Sequence, residues 1–334
     1  MQQGMQLLGG NDENTLRAES EGPGRRWWAV AGWALSVAVL VWWILQQMVL
    51  RSFWLQLLNG LSFGAVLFFV ASGFTLIFGL MRITNLAHGG FYLVGGYVGF
   101  TTIRYTGNFV VGLLAAAVFV MLLGLLIERV LLRPVRGQTS PEVLLTIGLA
   151  FVLGDMSLAI WGGDPTPIPI PEVLRGPLLI GDFAYPRYRI FVIVCAVAVG
   201  LLLFYGDRRT KFGAIVRAGV DDRETVAALG INIKLIFSAV FMVGAFLVGA
   251  AGVIGAGFLT LLPGQDFEIL LFALVVVILG GLGSLPGAVL GAVLVGLIDS
   301  FAKALVPELS FFTLFAPMAL VLLIRPEGLL GKRK

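Results

Sequence analysis

Apolar residues fall into long runs along this chain, parted by short polar or glycine-rich breaks. Ten runs stand out: 27–50, 55–81, 83–103, 109–127, 142–161, 190–205, 235–257, 268–280, 285–303 and 311–325. An α-helix needs about 20 residues to cross a hydrocarbon core of roughly 30 Å, so the pattern predicts an all-α polytopic membrane protein with about ten transmembrane or re-entrant helices. The eighth and tenth runs are short, and read as half-helices or as tilted helices completed by flanking turns. Residues 1–26 are polar, carry no hydrophobic period and predict a disordered tail. At 24 residues, the run 27–50 exceeds a signal-peptide apolar region and reads as an additional spanning helix. The main membrane domain is then 51–334.

Composition supports the bilayer as solvent. Hydrophobic residues make up 58% of the 334 and charged residues 13%, against roughly 25% charged in a soluble domain; mean hydropathy is +0.97. The net charge of +4 lies in a few loops, which argues against nucleic acid as a partner. With the N-terminus inside, the outer segments hold Arg51, Arg104, Arg175, Arg187, Arg189 and Lys303. The remaining 17 of the 23 lysines and arginines then face the cytoplasm. That asymmetry follows the positive-inside rule and predicts that both termini are cytoplasmic.

Two connectors are long. Residues 162–189 fall outside and carry Pro165, Pro167, Pro169, Pro171, Pro177 and Pro186; spaced prolines favour an extended, preorganised backbone, suited to docking a partner. Residues 206–234 fall inside and hold Arg208, Arg209, Lys211, Arg217, Arg223 and Lys234, within reach of anionic membrane lipid. Within them, Asp221, Asp222, Arg223, Glu224, Ala227, Ala228 and Gly230 spell a short helix. Asp221 is the expected cap, Glu224 stands three residues on, and Gly230 is the terminator. Such a rod is about 12 Å long, and is placed where an attached subunit pushes.

Glycine is abundant, at 44 residues. Small residues let helix backbones approach in lipid, and Gly287 and Gly291 have the four-residue spacing for it. The stretch 280–287, containing Pro286, predicts a re-entrant or unwound turn. Glycine-interrupted regions in both halves, 89–99 and 280–296, suggest paired repeats about a central pathway.

Enzymatic chemistry has little to stand on. The chain has no phosphate-binding Gly-x-x-x-x-Gly-Lys-Ser/Thr loop, one histidine (His88) and one cysteine (Cys195), so neither a histidine-based triad nor a zinc cluster can be built from it. Charges inside the runs are few: Asp155, and Asp299 with Lys303 four residues on, spaced for a local ion pair. Asn59, Asn85 and His88 are polar side chains inside apolar runs. They either line a solute pathway or bond helix to helix.

Several blocks in order carry a family resemblance. Asn59 to Gly64, then Gly73 through Asn85-Leu86-Ala87-His88-Gly89, resemble the first conserved block of branched-chain amino-acid ABC permeases. Glu128-Arg129 with Arg133-Pro134-Val135-Arg136 is similar to that family's first internal loop. The segment 217–232 resembles its ATPase-facing part, and 279–288 and 325–331 its C-terminal blocks. The Asn-x-Ala-His-Gly form resembles the H-type subunit of the Liv system. The resemblance implies a type II-like ABC importer permease in a bacterial inner membrane. Its implied partners are a second homologous permease, two cytoplasmic ATPases and a periplasmic solute-binding protein. It places ATP and magnesium on the ATPases and no cofactor in this chain. Gly90 stands where many relatives carry an acidic residue, and urea, short amides and aromatic acids stay open as solutes beside branched-chain amino acids. A passive channel for a small neutral solute is the competing expectation.

Overall fold

The computed structural model describes residues 35–37, 39, 41–42, 50–81, 85–180 and 183–331. The chain forms two compact units, Met1–Trp54 and Leu55–Lys334. In the first, the described residues from 35 to 42 are helical. The tail expected over 1–26 and most of the span expected over 27–50 lie outside the described residues.

From there the described chain is helical except for turns and one hairpin. Helix α1 (Leu50–Met81) leads to α2 (His88–Thr106) and α3 (Phe109–Ile127), the last prolonged by a π-wound turn (Glu128–Leu132) and a final α turn (Arg133–Val135). Helix α4 (Thr139–Trp161) is followed by a 3₁₀ turn (Glu172–Leu174), strands β1 (Pro177–Ile180) and β2 (Phe183–Pro186), and α5 (Arg187–Arg209). Two short helices, α6 (Lys211–Asp221) and α7 (Arg223–Ala228), precede α8 (Ile233–Leu259), α9 (Gln265–Gly280), α10 (Leu285–Leu305) and α11 (Ser310–Ile324).

Six described helices are long and apolar enough to cross a membrane: Ser52–Gly79, Phe109–Val135, Thr139–Trp161, Arg187–Arg209, Ile233–Leu259 and Leu285–Leu305. Helix α9, at 16 residues, spans only about 24 Å. Within the third apolar run, residues 85–87 form a turn and not a helix. Asn85 Oδ1 accepts a 3.1 Å bond from the Ala87 N–H, closing a turn, and the helix begins at His88. Asparagine competes with helix formation in this way.

Helix α8 is the hub, packing on α2 and α3, while α2 also touches α3, α4 and α9. Glycine sets the spacing. A Cβ at Gly252 would lie 2.1 Å from the Tyr92 carbonyl oxygen, and one at Gly73 2.6 Å from that of Gly244. Lipid offers no hydrophobic drive between helices, so close backbone approach and dispersion hold them together. Helix α5, by contrast, exposes Val194, Val197, Leu201 and Leu202.

The stretch 280–287 is a tight turn between two helices. Gly281 (φ +105°) and Gly283 (φ +79°) take positive φ, and Ser284 Oγ accepts from the Gly287 N–H at 3.1 Å to start α10. Carbonyls at the end of α9 are met from the tail: Leu329 N–H donates to Leu279 O at 2.9 Å and Leu330 N–H to Gly280 O at 3.0 Å.

Candidate functional site

The basic connector between α5 and α8 is built as two helices. Thr210 caps α6, its Oγ1 accepting from the Gly213 N–H at 3.1 Å. Arg217 turns back to α5, donating to the Asp207 carbonyl and, at 3.0 Å, to its carboxylate. The cap of α7 is Asp222 and not Asp221, which instead closes α6. Asp222 Oδ1 accepts from the Glu224 and Thr225 N–H groups at 3.0 Å. The hydroxyl and N–H of Thr225, with the N–H of Glu224, hold the Asp222 carboxyl below the usual carboxylate range. The rod Arg223–Ala228 is therefore shorter than the sequence suggested, ending before Gly230, which takes φ +82°. Its Val226 is buried, while Glu224, Ala227 and Ala228 stay exposed. Asn232 then caps α8.

Asn85 and His88 lie together in the interior, both buried. His88 Nε2 is 2.9 Å from the Val70 carbonyl oxygen of α1; a carbonyl only accepts, so Nε2 carries the proton. The ring meets Phe74 and Phe91 edge-on, at centroid distances of 5.5 and 6.5 Å. Nδ1 of His88 and Nδ2 of Asn85 are enclosed without a hydrogen-bond partner.

Asn59 is elsewhere. It precedes Val70 by eleven residues of α1, about 16 Å along the axis. Its Oδ1 accepts from Arg189 of α5, whose guanidinium lies 5.2 Å from the Phe258 ring centroid. One turn on, Ser62 Oγ is 3.2 Å from the Tyr185 hydroxyl of β2. The structure thus joins Asn85 to His88 but not to Asn59.

The proline-rich connector is stitched to the bundle. Residues 177–180 pair antiparallel with 183–186, with Pro177 opposite Pro186 at the open end, where a missing N–H does least harm. Thr166 and Leu261 exchange two backbone bonds of 2.8 and 2.9 Å. Clefts of about 460 and 430 Å³ flank the connector, the first lined by Pro165, Thr260, Gln265 and Glu268, the second by Asn108, Pro169, Pro171 and Arg175.

Sequence reasoning missed α6, the hairpin and the Arg189–Asn59 bond. Thr210 ahead of Lys211 is a readable cap signal. So is Gly181-Asp182 between apolar quartets. Nothing local announces a bond across 130 residues.

Residues 56–323 match the family described as branched-chain amino acid transport system / permease component. The chain belongs to that family. This permease is 33% identical over 296 residues to the high-affinity branched-chain amino acid transport system permease protein BraD of Pseudomonas aeruginosa, covering 83% of the chain and 95% of the relative. It is 30% identical over 297 residues to LivH of Escherichia coli K12, another such permease protein, with the same coverages. A solved structure, PsaBC from Streptococcus pneumoniae in complex with Fab, superposes with a TM-score of 0.42 at 14% identity, over 80% of this chain and 89% of that one. The permease is a multi-pass membrane protein of a transport system that works through several components.

Proposed function

We propose that this permease is the membrane subunit of an ATP-driven importer for branched-chain or related amino acids in a bacterial inner membrane. Its fold would be type II-like, with about ten spans at roughly 20 residues each and both termini in the cytoplasm. A second homologous permease, two ATPases holding ATP and magnesium, and a periplasmic binding protein complete the assembly. This chain itself binds no cofactor. The observation that carries the reading is the capped α6–α7 connector on the side with most of the basic residues. A rigid rod transmits a displacement that a flexible loop would absorb. Asp221, Asp222, Arg223, Glu224, Ala227, Ala228 and Gly230 form the surface offered to a groove of the ATPase. Asn59, Asn85 and His88 serve the solute pathway; Asn85 and His88 are buried.

The test is uptake in proteoliposomes carrying the complete complex, with labelled leucine, urea and an aromatic acid as solutes. Leucine uptake that requires both ATP and the binding protein is expected. Uptake of a neutral solute without either would replace the importer with a channel. Substituting His88 by Phe should abolish uptake while the complex still assembles.

A further inference from the structure

The stretch Glu128–Arg136 has no part in the function proposed above, yet it holds the one π-wound turn among the described residues. Helix α3 leaves its α winding at Glu128, runs as a π turn to Leu132, and resumes for one turn. Such turns strain a helix and concentrate at functional positions. Glu128 itself is fully buried. Its Oε2 accepts a 2.6 Å hydrogen bond from Ser238 Oγ of α8, while its Oε1 is enclosed with no hydrogen-bond partner. A buried carboxyl met on one side only is costly and gains from any added donor. At the far end of the same stretch, the Arg136 guanidinium lies 3.8 Å from the ring centroid of Phe237. Two consecutive residues near the start of α8 are therefore gripped by the two ends of one short segment.

The rest of the α3–α8 contact has no such grip. It is made of small and apolar groups: a Cβ at Gly249 would lie 2.8 Å from Val120 Cβ, and one at Gly124 2.7 Å from Ala245 Cβ. Among the described residues, Glu128–Ser238 is the one side-chain hydrogen bond between these helices. Apolar surfaces slide past one another; a short directional bond does not. Upstream, α7 packs on α6 and on α8, and the corner between α7 and α8 is stiffened by Gly230 in the left-handed region and by the Asn232 cap.

We infer that Glu128 is a positioning residue for transport: its bond to Ser238 makes the first turns of α8 and the π-wound end of α3 move as one body, and so carries a displacement of α7 into α3. The inference rests on the ATP-driven reading above.

The experiment uses the full-length permease assembled with its ATPase and binding protein in proteoliposomes, and measures labelled leucine moved per ATP hydrolysed. Ser238→Ala removes the donor and should lower that ratio about tenfold, within the usual range of coupling between sites, while hydrolysis and the amount of assembled complex stay near wild type. Ser238→Thr, which keeps the hydroxyl, should restore the ratio. Glu128→Gln, which keeps an acceptor, should retain most of it, and Glu128→Ala should match Ser238→Ala. A wild-type ratio in Ser238→Ala overturns the inference while leaving the importer reading intact. Parallel loss of uptake, hydrolysis and assembled complex in Ser238→Ala also overturns it, since that marks a bond needed only for folding. A wild-type complex that takes up leucine without ATP overturns both.

Discussion

The two long connectors at opposite ends of α5 solve different problems. The proline-rich one is fastened to the bundle by the Thr166–Leu261 backbone pair, the Tyr185–Ser62 contact and, just past β2, the Arg189–Asn59 bond. The basic one is tied more locally, by Arg217 to Asp207 near the end of α5. Its bonds are mostly internal caps, and Val226 is the side chain of α7 that it buries. A connector tied to α1 and to the turn that follows α8 presents a fixed shape. One that meets the bundle through α6 on α5 and α7 on α8 can carry a displacement into both.

The largest expected effect tests that transfer. Replacing Ala227 with Glu and Ala228 with Arg fills the exposed face of α7, and should abolish leucine uptake or release the ATPase while the permease stays in the membrane. Cysteines placed on α7 and on the ATPase should crosslink with a yield that depends on ATP. Failure there, with success elsewhere on the same face, would remove α7 from the contact. Next comes the proline-rich side. Deleting 165–171 should weaken stimulation by the binding protein about tenfold, the equivalent of roughly 1.4 kcal/mol of contact, with no loss of membrane abundance. Unchanged affinity for the loaded binding protein would make this connector mere scaffolding. A smaller effect is expected from Thr166→Pro, which removes one backbone donor and should cost about 1 kcal/mol in thermal stability, leaving transport per ATP unchanged.

The smallest effect depends on pH. Thr225 holds the Asp222 carboxyl below its ordinary range, so the cap's contribution is complete above the ordinary carboxylate pKa of about 4. It is lost as pH falls through the depressed value, because the unfolded segment then binds the proton more readily. The protection of the Glu224 and Thr225 amides from hydrogen exchange, relative to the intrinsic rate at each pH, should fall in acid for the native chain. Asp222→Asn, which caps without titrating, should show no such step.

Apolar runs were legible because lipid demands continuous hydrophobicity, so most helix bodies could be read within a few residues of their observed limits. Ends were harder. Asn85 holds 85–87 in a turn inside an apolar run, and Asp222 took the cap from Asp221 because the backbone before it had already closed α6. The candidate site was legible where it is local, as in α7 and the Asn85–His88 pair. It was hidden where it depends on which helices meet: Arg189 with Asn59, and Glu128 with Ser238, are separated by 130 and 110 residues.

The glycine seams have a further consequence. Where a Cβ at Gly280 would lie 2.1 Å from Gly287 O, and one at Gly296 2.3 Å from Gly60 O, cohesion comes from dispersion and weak backbone contacts. Neither responds to ionic strength. The basic connector, held by Arg217 to Asp207 and edged with exposed Arg208, Arg209 and Lys211, does, because salt screens exposed charge over about 8 Å at physiological strength. Added salt is thus a selective solvent for this molecule, loosening the connector while leaving the packed helices as they were.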